Sequence, residues 1–163
     1  MKKSFIAIAL FTALMLTGCG GNEEAIEANA TVSVAAASSP ADITAAIMAE
    51  IEIPSAMEKN AENIGAYYDV DTAAIAEMSV YICGSGAYPD ELAIFKFNDE
   101  ASAQAGAEAV KSRLESQTVI YKDYTPAEMY KLEEAVVITE GNWVAFAACA
   151  DNARAKEIIE SML

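Results

Sequence analysis

The chain has 163 residues, of which 54% are hydrophobic, 25 are acidic, 10 are basic and none is histidine; that length suits one modest domain with appendages. Lack of histidine removes Ser-His-Asp and Cys-His nucleophilic systems, histidine metal sites and imidazole proton relays. A formal net charge of −15 opposes nucleic-acid binding, which needs clustered cations set against phosphates.

Lys2 and Lys3 precede a largely apolar segment, Phe5 to Leu16, followed at once by Thr17-Gly18-Cys19. This is the order of a signal peptide: positive end, apolar stretch, small-residue cleavage site. A helix over that stretch would rise roughly 18 Å at ~1.5 Å per residue, short of a ~30 Å hydrocarbon core. Leu16-Thr17-Gly18-Cys19 looks like a bacterial lipobox. The expectation is therefore a leader over 1–18 that is removed, a covalent diacylglycerol with palmitate-type chains on Cys19, and an extracytoplasmic protein held on the cell membrane by its lipid. Cleavage takes both leader lysines and no acid, leaving the mature chain at −17; such charge also opposes lying flat on anionic lipid.

Residues 20–39 are small, polar or acidic and lack aromatic side chains, so 19–39 is read as the lipidated Cys and a flexible acidic tether. The domain is placed at 40–163. Ser39-Pro40-Ala41-Asp42 is a helix-start pattern, and Ile43, Ile47 and Ile51 predict an amphipathic helix ending near Pro54. Residues 55–64 are expected to add a helical stretch and 71–77 a short helical turn. Met78–Cys83 and Leu92–Phe97 read as antiparallel strands around Gly84-Ser85-Gly86. Asn98 or Asp99 caps a helix carrying Ala103, Ala107, Val110 and Leu114 on its apolar stripe. Thr125-Pro126-Ala127-Glu128 predicts a capping box and a short helix to about Leu132. Ala135–Thr139 and Trp143–Cys149 form a hairpin about Gly141, and Asp151 caps a last helix with Ala155, Ile158, Ile159 and Met162 inward.

The fold class that follows is α+β: two ββα units forming a mainly antiparallel four-stranded sheet with packed helices, preceded by an N-terminal helix. The lipobox, the tether, Pro89–Lys96, Arg113–Gln117, Asp123–Pro126 and the Val136–Val144 hairpin resemble a family of small lipoproteins of Gram-positive Firmicutes known as domain of unknown function 4358. The resemblance covers roughly residues 41–150. It implies a location and a fold type, and it transfers no catalytic residues.

Cys83 and Cys149 each end a predicted strand, and if those strands are neighbours the thiols could form a structural disulfide; buried free thiols are the other outcome. They lack the CxxC spacing of a redox pair. Gly84-Ser85-Gly86 reads as a turn, since no helix N-terminus and no Lys follows it to cradle a phosphate. Asp69-Val70-Asp71 fails as a calcium loop, because Ala74 and Val80 stand where Gly and Glu are needed. No metal set, no catalytic constellation and no non-covalent cofactor is expected. Both strand faces are apolar, so either helices and the 55–77 segment cover both, or an aromatic patch including Tyr81, Phe95 and Trp143 stays open as a binding surface. The functional expectation is a non-enzymatic binding or interaction module of the cell envelope, taking a protein partner or a small ligand. The alternative is a carboxylate-dependent envelope hydrolase.

Overall fold

The computed structural model describes residues 38–163; the leader, Cys19 and the tether up to residue 37 lie outside the described residues. Helix α1 (Pro40–Glu50) opens on a complete capping box, Asp42 N–H donating to Ser39 Oγ (3.2 Å) and Ser39 N–H to Asp42 Oδ2 (2.8 Å). It stops earlier than the isoleucine spacing implied. Ile51 is extended, and Pro54 disfavours helical backbone at Ile53, so the last turn is lost.

The next segment departs from expectation. Residues Ala56–Lys59 form an edge strand, β1, paired antiparallel with β2 (Ile75–Cys83) from Ala56↔Cys83 to Lys59↔Val80. Met57, Glu58 and Lys59 suit a helix locally, but pairing with β2 outweighs that weak preference. Residues 64–66 and 72–74 are single 3₁₀ turns, the second capped by Asp71 Oδ1 (3.0 Å from Ala73 N). β2 begins three residues before the expected Met78, with an irregularity between Ile75 and Glu77.

With β3 (Glu91–Phe97), β4 (Val136–Glu140) and β5 (Trp143–Ala148), the antiparallel sheet has five strands in the order β1-β2-β3-β5-β4, not four. The β4–β5 hairpin turns at Gly141, whose φ of +53° is a conformation that costs glycine little. Helix α2 (Glu100–Tyr124) starts on Asp99, whose side chain accepts from Ser102 N–H at 2.8 Å. Thr125 does not make the expected capping box: it closes α2 through its N–H to Tyr121 O (2.9 Å), and its hydroxyl makes no cap bond. A 3₁₀ turn (Pro126–Glu128) leads to α3 (Met129–Glu133), and Asp151 caps α4 (Asn152–Met162).

The fold is thus α+β, with both sheet faces covered. Because successive strand residues point to opposite sides, Ala93, Phe95, Phe97, Val144 and Phe146 pack with Ala103, Ala107 and Val110 of α2 and with Ile64 and Tyr68. Leu92, Ile94, Ala145 and Ala147 pack with Ile43 and Ile47 of α1 and Ile158 and Ile159 of α4. Each fully buried large side chain contributes roughly 1.5–3 kcal/mol. On the second face Arg154 of α4 grips Glu50 of α1 through Nε–Oε2 (2.7 Å) and Nη2–Oε1 (2.9 Å), an exposed contact that fixes geometry more than it stabilises.

Candidate functional site

A cleft of about 200 Å³ opens on the α2 side of the sheet, where β1, the ends of β2 and β3, their connecting loop and the middle of α2 meet. Three α2 residues reach it: Arg113, Gln117 and Tyr121, spaced four apart and hence on one helical stripe. Opposite stand Lys59 of β1, Tyr67, Cys83 at the end of β2, and Asp90-Glu91 at the start of β3.

Glu91 organises this wall. It is 1% exposed, accepts from Arg113 Nε (3.2 and 3.3 Å) and Nη2 (2.8 Å), and accepts a further hydrogen bond from the Tyr68 hydroxyl. Bidentate guanidinium–carboxylate pairing of this kind is directional as well as strong. Burial and then the Glu91 charge hold the Tyr68 hydroxyl well above its ordinary pKa of 10.0. Burial works against the charge on Arg113, but Glu91 outweighs it and the guanidinium is raised. Arg113 Nη1 is left with no acceptor among the described residues, and its guanidinium carbon lies 5.5 Å from the Tyr67 ring centre.

Asp90 engages a second cation. Lys131 of α3 donates to Asp90 Oδ2 at 2.7 Å and contacts Glu128 Oε2 at 2.8 Å. Burial raises the Asp90 carboxyl despite Lys131, while the hydrogen bonds to Asp90 and Glu128 overcome the burial that would lower the Lys131 ammonium. Asn152 secures the same corner, donating from Nδ2 to Lys131 O (2.8 Å) and accepting from Cys149 N–H (3.0 Å).

Two cleft residues are left without partners. Lys59 is 9% exposed and Gln117 8%, yet among the described residues neither side chain makes a hydrogen bond or an ion pair. The Lys59 ammonium lies 4.8 Å from the Tyr67 ring centre, a cation–π contact that leaves its N–H groups unused. The sealed side-chain polar atoms lacking a partner are Asp90 Oδ1 and Thr125 Oγ1, so the ends of Lys59 and Gln117 keep access to the cleft. Its rim is braced by Tyr121, whose hydroxyl donates within 3.1 Å of Gly86 O and 2.8 Å of Tyr88 O.

The residues singled out from sequence fall in three places. Cys83 lines the cleft with its sulfur 3.2 Å from Ser85 Oγ. Burial, the largest single influence, raises this thiol, but hydrogen bonds with Ser85 and with the backbone of Tyr88, Ser85 and Gly86 together bring it below 9.0. Cys149 is buried behind the sheet, and burial pushes its thiol up to about 11. The disulfide considered between them is not formed, and both are free. β3 stands between β2 and β5, so two spacings of ~4.8 Å separate the strands that carry them, beyond the ~7 Å Cα limit for a bridge.

The aromatic surface is not assembled either. Phe95 is fully buried beneath α2. Tyr81, opposite Leu92, and Trp143 lie on the α1–α4 face, both half-buried, with Lys96 Nζ 5.1 Å from the Trp143 ring centre. Lys59, Tyr67, Gln117 and Tyr121 were not anticipated from sequence. The available signal was the placement of Arg113, Gln117 and Tyr121 along the continuation of α2's apolar stripe, where polar ends on an inward face need partners.

No described helix is long and apolar enough to cross a membrane, and no three Cys, Asp or Glu side chains of the described residues gather at metal-holding distance. No curated protein and no solved structure matches the chain. A family model does, over residues 49–149, and that span runs from the end of α1 to Cys149, taking in the whole sheet and every cleft-lining side chain. The chain therefore belongs to the family described as a domain of unknown function, DUF4358.

Proposed function

We propose that this chain is a membrane-anchored, extracytoplasmic lipoprotein whose domain works as a non-enzymatic binding module of the cell envelope. The leader over 1–18 is removed, diacylglycerol on Cys19 holds the chain to the membrane, residues 19–39 act as a tether, and the 40–163 domain presents its cleft to a small ligand. The observation that carries the binding part is the pair Lys59 and Gln117: two side chains more than nine-tenths buried whose polar ends reach the cleft and find no partner among the described residues. Such partial desolvation weakens a fold unless something outside it uses those ends. A carboxylate-dependent hydrolase is less well supported, since the two cleft carboxylates, Asp90 and Glu91, are each tied to a cation, whereas the unused groups are mainly donors.

Two measurements test this. Detergent-phase partitioning and globomycin-sensitive processing of the full chain should both disappear in Cys19→Ala; their persistence overturns the anchor. Lys59→Met and Gln117→Leu should each raise the urea midpoint of the ligand-free protein, the shift corresponding to about 1 kcal/mol of unfolding free energy. A fall of similar size would make these side chains part of the internal scaffold and overturn the binding reading.

A further inference from the structure

We infer that the cleft is a site for a small monocarboxylate, received by the Lys59 ammonium with the Gln117 carboxamide and Arg113 Nη1 as flanking donors. This rests on the binding reading above and names its ligand class. The sign follows from the cations. Arg113 is neutralised by Glu91 across a bidentate pair, and Lys131 by Asp90 and Glu128. Lys59 alone brings an ammonium to the cleft with no carboxylate against it among the described residues. The Lys131 corner sets two carboxylates on one ammonium, so the cleft with its ion-pair partners carries no net positive charge, and a ligand with a single negative charge matches the one ammonium that holds no carboxylate. A dianion would leave a buried excess of charge, in a chain already at −15.

The flanking groups fit the same assignment. Lys59 and Gln117 are both more than nine-tenths buried, so they lose little freedom on engaging a ligand, and a carboxylate can accept from several N–H donors at once. Arg113 is already locked by Glu91 and needs no reorganisation to offer its remaining nitrogen. Tyr67, Ile82 and Pro89 offer apolar surface to a short neutral body behind the acid group, while Cys83, Tyr88 and Asp90 keep the rest of the wall polar. Ligand pockets for drug-sized molecules run to ~300–1,000 Å³; at about 200 Å³ this one takes a smaller compound, such as a hydroxy acid, an acylated amino acid or the free end of a peptide.

The test is a titration of the ¹⁵N-labelled full chain in detergent micelles with N-acetyl-L-alanine, its uncharged carboxamide and inorganic phosphate, followed at the Gln117 side-chain amide and Arg113 Nε–H resonances. Expected are saturable shifts with N-acetyl-L-alanine, none with the carboxamide, weaker binding of phosphate, and a loss of about 10- to 100-fold in affinity in Lys59→Met, the size set by one charge-assisted hydrogen bond. Equal shifts from acid and carboxamide, tighter binding of phosphate, or no saturable shift from the acid would each overturn the assignment. The acid–carboxamide comparison uses the wild-type chain and holds even if Lys59→Met misfolds. If the urea midpoints rise in Lys59→Met and Gln117→Leu while the acid fails to bind, the ligand class is wrong and the binding reading stands.

Discussion

Glu91 begins the central strand, and its carboxylate serves two elements at once, Tyr68 from the loop after β1 and Arg113 from α2. Glu91→Ala would leave a guanidinium that is 14% exposed facing a hole. Removing one partner of a buried pair typically costs ~3–5 kcal/mol, and we expect a loss near the lower end because Arg113 keeps some solvent. Urea unfolding of the variant checks this, and Arg113→Met in the same background should restore part of the loss by removing the stranded charge. Glu91 and Arg113 both fall in segments that carry the family resemblance, yet their partnership across 22 positions was not legible, because a single sequence holds no record of which distant charges meet. Lys59 was hidden for another reason. Its neighbours favour a helix locally, and only pairing with β2 turns its side chain toward the cleft.

Helix α2 shows what one element must reconcile. Its N-terminal half carries small residues against the sheet, and a Cβ added at Gly106 would run into the Phe97 ring, which is 2% exposed and confined. Alanine favours a helix over glycine by about 1 kcal/mol, but forced overpacking costs about 1–3 kcal/mol. Gly106→Ala should therefore lower the denaturation midpoint in spite of its better helix propensity, whereas a rise would mean that Phe97 moves aside freely. Element starts were legible where the signal is local: Ser39, Asp99 and Asp151 each cap the helix expected of them. Thr125 carried an equally good local pattern and failed, because α2 runs on to Tyr124 and claims the same residue as its end. The fifth strand was missed since a four-residue edge strand of mixed composition has no periodicity to read.

At the scale of the whole molecule, stability should fall in alkali. Cys149 is held protonated in the folded chain up to about 11, against an ordinary 9.0. A group whose folded pKa is raised contributes fully below the unfolded value and loses that contribution as pH climbs through the window, here from 9 to about 11. At about 1.4 kcal/mol per pKa unit the loss is at most roughly 3 kcal/mol. Tyr68, raised well above 10.0, extends the decline. Thermal melts of wild type and Cys149→Ala between pH 8 and 11 should diverge in slope from pH 9 upward, and parallel curves would show that the thiol is not shielded. The apolar strands on both faces left two arrangements open, a sheet covered on two sides or an exposed aromatic patch, and packing of helices on both faces decides for the first; the strand order was not legible. The path through β4 places β5 beside β3, and nothing local dictates that. The adjacency of Asp90 and Glu91 has a consequence for assembly. Consecutive carboxylates, Asp90 just before the middle strand and Glu91 as its first residue, hold Lys131 and Arg113 from two different helices. Sliding that strand by a single position would present Leu92 to the guanidinium, taking from Arg113 its carboxylate and leaving Lys131 with Glu128 alone. The two ion pairs thus act together as a lock-and-key for alignment, penalising near-miss topologies far more than they strengthen the correct one.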